Sequence, residues 1–193
     1  MEIFPLALPD VLLIRPKKFE DQRGFFAETY SARALASAIS LPFVQDNLSL
    51  SCPVGTLRGL HFQSPPHAQG KLVRCVRGRI FDVAVDIRTG SPTFGRHVSV
   101  ELSGETVDQI YVPPGFAHGF CTLDPDTEVS YKVTDYYAPA CDGGIAWDDP
   151  DVGIDWPLPA SGPVLSPKDQ KHPRLRDLDC VFRYEPLKEN DRA

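Results

Sequence analysis

The sequence is poor in the features that mark several large classes of protein. Its 193 residues include only five cysteines, Cys52, Cys75, Cys121, Cys141 and Cys180. Their number is odd, their spacings are wide and no C-x-x-C pair occurs, which excludes a zinc ribbon and argues against a disulfide framework. Positive charge is in deficit: 20 Lys and Arg against 26 Asp and Glu leave a formal charge of −6. A protein that neutralises a phosphate backbone needs a basic face, so no nucleic-acid partner is expected. No apolar run approaches the ~18 residues that cross a bilayer, so no membrane partner is expected either. The opening MEIFPLALPD lacks a basic start and is broken by Glu2, Pro5, Pro9 and Asp10, unlike a signal peptide. These absences point to a soluble, reduced chain and a cytoplasmic location.

What is present is a core and its punctuation. Hydrophobic residues make up 42% of the chain, with 14 Gly and 19 Pro, enough apolar material for one domain spanning residues 1–193 with a frayed tail from about 186. Period-two alternation recurs. Phe81, Val83, Val85 and Ile87 share one strand face and Asp82, Asp86 and Arg88 the other; Val98, Val100 and Leu102 fall together, as do Val129, Tyr131 and Val133. Turn signals such as Gly90-Ser91-Pro92 and Pro113-Pro114-Gly115 separate the runs. The fold class expected is all-β, a sandwich or jelly-roll barrel, with short flanking helices at 31–41, where Leu35 and Ile39 lie four apart, and at 166–175, where Ser166-Pro167 is a helix-entry signal.

Two histidines sit in distinctive settings. His118 closes Pro113-Pro114-Gly115-Phe116-Ala117-His118, which resembles the P-x-G-x-x-H element of cupin barrels, and His61 stands where the other cupin motif begins an H-x-H pair. Gln63 takes the place of the second His and no Glu lies between His61 and Gly78, so too few ligands remain and no metal is expected. For each His the alternative is a core residue with satisfied nitrogens. Arg58, Lys71, Arg74 and Arg77 surround His61 in sequence; cations on strands form either a solvated face or the lining of an anion site. A cavity holding His, Lys and Tyr is equipped to take a proton next to a carbonyl. Tyr131 is the phenol candidate, or else a core tyrosine. Asp169 reads either as the third residue of a helix cap begun by Ser166 or as the carboxylate that orients His61. Strict alternation places Arg58 and His61 on opposite faces, and Gly59 is where a bulge would bring them together.

Taken together, these elements resemble the dTDP-4-dehydrorhamnose 3,5-epimerase family, metal-independent cupins of nucleotide-sugar biosynthesis. The residues that carry the resemblance are Asp21–Phe26 with Glu28, Gln45–Ser49, Gly55–Gln63, Lys71–Val76, Pro113–Phe120, Tyr131-Lys132, Gly143-Gly144-Ile145 with Trp147, and Lys168-Asp169, in family order. The resemblance implies inversion at C3 and C5 of a dTDP-linked 4-keto-6-deoxyhexose without a cofactor. It implies His61 as base paired with Asp169, Lys71 at the enolate oxygen and Tyr131 as acid. It implies substrate contacts from Arg23, Phe26, Glu28, Gln45, Asn47, Arg58, His118, Tyr137, Asp142 and Lys168. It also implies a homodimer in which exchanged N-terminal strands carry Arg23 and Glu28 to the neighbouring subunit. The alternatives are a 3- or 5-monoepimerase, a non-catalytic cupin that binds a sugar nucleotide, and a metal-dependent cupin.

Overall fold

A computed structural model of the protein describes residues 1–179 and 181–185. Cys180 and the tail expected from about 186 lie outside these residues. The N-terminal part runs through strands β1 (Glu2–Pro5), β2 (Leu12–Arg15), β3 (Lys18–Asp21) and β4 (Gly24–Ala27), one helical turn α1 (Ala32–Leu35), and β5 (Gln45–Ser51). Then follow β6 (Leu57–Gln63), β7 (Lys71–Arg77), β8 (Arg79–Asp86), β9 (His97–Ser103), β10 (Gln109–Val112), β11 (Phe116–Thr122), β12 (Thr127–Val133) and β13 (Asp142–Gly144).

The strands form two main antiparallel sheets. One has the order β1-β2-β10-β7-β12-β5, the other β13-β6-β11-β8-β9, and β3-β4 is a separate hairpin. This is an all-β jelly roll, one of the two architectures that the alternation and turn spacing call for, and of the cupin kind that the Pro113–His118 element resembles. Between the sheets, Val73, Ile80, Ala84, Ile110, Phe120 and Val129 are buried in one cluster. A second cluster covers the outer face of the β6-containing sheet, where Val83, Val85 and Ile87 pack under Ile145, Trp156 and Leu175 of the C-terminal segment. Each such fully buried aliphatic side chain stabilises the fold by about 1.5–3 kcal/mol. No helix among the described residues is long and apolar enough to cross a membrane.

The apolar stripe of β8 therefore faces outward, against the C-terminal segment, while its polar stripe faces into the barrel. Asp82 and Asp86 are fully buried.

Both expected helices are shorter than the sequence suggests. Ser31 caps α1 by accepting from the Ala34 amide, and Leu35 and Ile39 do bury together, but regular helix stops after one turn. Over 166–175 only a 3-10 turn forms, Asp169–Lys171. His172 precedes Pro173 and is driven to extended backbone, φ −62° and ψ 143°, which ends the turn.

β6 carries the irregularity that matters most. Its register with β11 pairs His61 with His118 and Arg58 with Phe120, so three residue steps on β6 match two on β11. That is a bulge. Gly59 sits in it at φ +144°, and a Cβ there would lie 2.5 Å from the Cα of Gly119. Only glycine satisfies both the dihedral and the approach. Gly59→Ala is expected to lower unfolding free energy by about 2–5 kcal/mol, strain and collision combined. Gly90→Ala, at φ +86° with nothing within 4 Å, should cost only about 1–2 kcal/mol. Urea melts check the pair; equal losses would contradict the close-packed bulge.

Candidate active site

The bulge places Arg58 and His61 on the same side of β6, lining one cavity between the sheets. Lys71 from β7, His118 from β11 and Tyr131 from β12 line the same inner space, about 220 Å³. It opens into an outer portion of about 320 Å³ lined by Gln45, Asn47, Gln69, Tyr137 and Asp142, with His61, Lys71, Tyr131 and Lys168 common to both. Parity explains the selection along β7 as far as Cys75, where the register with β12 shifts. On β7, Lys71, Val73 and Cys75 point inward, whereas Arg74 points to the outer face of its sheet and Arg77 pairs with Glu128 at the surface. Of the cations around His61 in sequence, Arg58 and Lys71 thus belong to the cavity and Arg74 and Arg77 do not.

His61 Nε2 lies 2.5 Å from Asp169 Oδ1. Asp169 is almost completely buried. The Ser166 hydroxyl accepts from the Asp169 amide at 3.1 Å and donates to Oδ2 at 2.8 Å. The cap and the imidazole partner, alternatives in the sequence, coexist in one residue, because the two carboxylate oxygens serve different neighbours. Facing a carboxylate, Nε2 is the protonated nitrogen of a neutral His61, which leaves Nδ1 with the lone pair. Burial lowers the His61 pKa below its usual 6.5 and the nearby Lys71 and Lys168 charges push the same way, outweighing the opposing pull of Asp169. Burial would raise the Asp169 carboxyl, but the surrounding His172, His61 and Ser166 groups hold it well below the usual carboxylate range.

Lys71 donates to the His61 carbonyl at 3.1 Å. Burial drives its ammonium down to about 8, although Asp142 and Asp82 act to raise it. The shift from an ordinary lysine corresponds to a penalty of about 3 kcal/mol on the charged form. Tyr131 is raised above the usual phenol range, by burial first and the Asp142 charge next, against Arg58. At neutral pH the cavity therefore offers a neutral imidazole, an ammonium close to its titration and an intact phenol.

The remaining candidates divide by location. His118 is buried and hydrogen-bonds Asp82 at 2.9 and 3.0 Å from Nε2. Gln45 donates to Asn47 at 2.9 Å and accepts from the Tyr137 amide at 3.1 Å. The Tyr137 hydroxyl donates to Asp142 at 3.0 Å, and Lys168 forms a short ion pair with the same carboxylate. Gln63, standing where metal-binding cupins carry a second His, holds the 136–138 loop instead: it donates to the Tyr136 carbonyl at 3.1 Å and accepts from the Ala138 amide at 2.8 Å. Arg23, Phe26 and Glu28 are not brought to this cavity. Arg23 is exposed and paired with Asp21, Phe26 is 70% exposed, and Glu28 lies on a separate groove of about 540 Å³ on the outer face of the β5-containing sheet.

Three residues escaped the sequence reading, one of them Gln69 on the outer portion. Ser49 lines the inner cavity, and its inward parity with Asn47 was the available signal. His172 stacks edge-on against His61 with ring centroids 5.5 Å apart, and no motif announces it.

A sequence profile described as dTDP-4-dehydrorhamnose 3,5-epimerase matches residues 5–177. The chain belongs to the dTDP-4-dehydrorhamnose 3,5-epimerase family. It is thus one of a family of isomerases that act on nucleotide-linked sugars. The dTDP-4-dehydrorhamnose 3,5-epimerase of Sinorhizobium fredii is 53% identical over 180 residues, 93% of this chain and 92% of that one. The dTDP-4-dehydrorhamnose 3-epimerase of Streptomyces niveus is 40% identical over 172 residues, covering 88% and 82%. Among solved structures, dTDP-6-deoxy-D-glucose-3,5-epimerase of Legionella pneumophila, in complex with dTDP-4-keto-L-rhamnose, superposes with a TM-score of 0.91 at 46% identity and covers 95% and 98% of the two chains.

The electrostatics of the His61–Asp169 pair in this family member can be read directly. The His61 imidazole should titrate below 6.5, and Asp169→Asn should lower it further by removing the hydrogen-bonded carboxylate charge that raises it. Nitrogen-detected NMR titration checks this; a higher midpoint in the variant would contradict the pairing.

Proposed function

We propose that the protein inverts C3 and C5 of dTDP-4-dehydro-6-deoxy-D-glucose, giving dTDP-4-dehydro-L-rhamnose, in a cytoplasmic biosynthetic route. The observation that carries this reading is the placement of base and acid candidates on opposite walls. His61 belongs to the β6-containing sheet, Lys71 and Tyr131 to the facing one, and all three line one cavity. Epimerisation needs a proton removed from one face of a carbon and returned to the other.

In the proposed reaction, His61 Nδ1 takes the proton from a carbon next to the C4 carbonyl, and the electron pair moves onto the C4 oxygen as an enolate. Asp169 keeps the other nitrogen protonated and stabilises the imidazolium. The Lys71 ammonium faces the oxygen where charge develops; one preorganised donor of this kind is worth on the order of 3–4 kcal/mol. The Tyr131 hydroxyl then delivers a proton to the opposite face, and solvent resets both groups. C3 and C5 both flank the C4 carbonyl, so one site serves both inversions in turn. An ammonium supplies the electrostatic stabilisation, and the scheme needs neither metal nor organic cofactor.

Around this centre, Gln45, Asn47, Arg58, His118, Tyr137, Asp142 and Lys168 are assigned to the nucleotide sugar. Arg58 and Lys168 are suited to the diphosphate and Tyr137 to the thymine face. Arg23, Phe26 and Glu28 stand away from this cavity and are assigned to the site of a second subunit in a homodimer. A monoepimerase is the second reading, favoured by the 40% identity to a 3-epimerase.

Incubation with dTDP-4-dehydro-6-deoxy-D-glucose in D2O, followed by NMR, separates these readings. Deuterium is expected at C3 and C5; label at one carbon would reduce the activity to a monoepimerase, and none at either carbon would contradict an epimerase of this substrate. His61→Ala should lower exchange at both carbons by about 10²–10⁴-fold. Tyr131→Phe should preserve exchange while impairing net inversion, since one face can still lose and regain its proton.

A further inference from the structure

The sequence offers too few ligands for a cupin metal site beside His61, but folding supplies another from elsewhere in the chain. His172 side-chain exposure is only 9%, and its Nε2 has no hydrogen-bond partner. That nitrogen lies 3.6 Å from Asp169 Oδ1, beyond hydrogen-bonding range, on the oxygen that also faces His61 Nε2 at 2.5 Å. The three ligand atoms of His61, Asp169 and His172 all lie within 4.8 Å of one another. A tetrahedral zinc ion with ligands at ~2.0–2.2 Å has ligand–ligand edges of about 3.3 Å. Modest side-chain rotations close the set around such an ion.

The surroundings are fitted to the second imidazole. A Cβ on Gly144 would lie 2.6 Å from His172 Cε1 and Nε2, so the glycine opposite His61 on β13 makes room for the ring. Ser166 holds Asp169 Oδ2 and leaves Oδ1 to the histidines, the kind of outer hydrogen bond that orients a ligating carboxylate. Two imidazoles and one carboxylate form a three-ligand set, and because His61 and Asp169 line the inner cavity, water can reach a fourth position.

We infer that His61, Asp169 and His172 form a binding site for a borderline divalent transition ion, typified by Zn2+, and that the ion silences the enzyme. The chemistry of the imidazole gives the reason. In the metal-free pair, His61 carries its proton on Nε2 and its lone pair on Nδ1. An ion bound at Nε2 displaces that proton, and the neutral ring holds one on Nδ1 instead. The nitrogen facing the substrate then has no lone pair, and Asp169 is withdrawn to the ion. The inhibitory consequence rests on His61 being the base; the site does not.

The test uses the full-length protein and two probes. Co2+ titration followed by visible absorption, and Zn2+ titration by calorimetry, should give one ion per chain. His172→Ala and His172→Gln should each weaken binding at least 100-fold, with circular dichroism confirming the fold, and the glutamine covers the case in which alanine fails to fold. Each variant's deuterium exchange, relative to its own rate with chelator, should lose its sensitivity to Zn2+ by a similar factor. Absence of saturable Co2+ binding in the wild type, or unchanged affinity in both variants, overturns the site. Zinc inhibition of equal potency in wild type and variants overturns its link to His172. The binding measurements stand even for a protein that turns over no nucleotide sugar, so failure of the site and failure of the epimerase reading are distinct results.

Discussion

The close approach of β6 to β11 at Gly59 and Gly119 is the constraint on which the site depends. A regular β6 would send Arg58 and His61 to opposite faces, and only one of them would reach the cavity. The extra residue in the bulge turns both inward, and the space for it exists because neither glycine has a side chain: a Cβ on Gly119 would sit 2.8 Å from the Arg58 carbonyl, just as one on Gly59 would meet Gly119. His61 then faces Asp169, Arg58 is steadied by the Ser51 hydroxyl at 3.1 Å, and the catalytic candidates converge from two sheets.

Electrostatics does the rest of the arrangement. The chain is acidic overall, yet its cavity gathers Arg58, Lys71 and Lys168, so net charge excludes a large polyanion and permits a small one. Each nearby carboxylate is engaged by a partner, and Asp142 offsets one of these cations by pairing with Lys168. Asp169 is engaged by His61 and Ser166, Asp82 by His118, and Asp142 by Lys168 and Tyr137. Burial keeps His61 neutral and Tyr131 protonated, and brings Lys71 near its titration. Desolvation costs stability in the ammonium and is acceptable because it sharpens the response to a developing negative charge.

The strand pattern was legible in the sequence because period-two alternation has a direct physical cause: Val129, Tyr131 and Val133 share a face, as do Val98, Val100 and Leu102. The family motifs located His61, Lys71, Tyr131 and Asp169, and the parity conflict at Arg58 correctly pointed to Gly59. Local signals were weaker where tertiary context decides. The Ser166-Pro167 start promised a helix that Pro173 cuts short, and Ala-rich 31–41 yields one helical turn. Arg74 could be assigned to the outside only once Lys71 fixed the strand's parity, and Arg77, which shares that parity, lies beyond a register shift against β12 and pairs with Glu128 at the surface. His172 was invisible because its relation to His61 spans 111 residues of chain and rests on the missing Cβ of Gly144.

The most direct test of this arrangement is the pH dependence of kcat/KM for the nucleotide sugar. The proposed mechanism needs a neutral His61 and a charged Lys71 together. The expected profile is a plateau with an acid limb below 6.5, where His61 gains a proton, and a basic limb near 8, where Lys71 loses one. The basic limb should vanish in the residual activity of Lys71→Met. A profile flat through pH 9.5, where a Lys71 titrating near 8 should already have cost about 30-fold in rate, would contradict it, as would an acid limb above 7, half a unit or more past the ordinary histidine value of ~6.5.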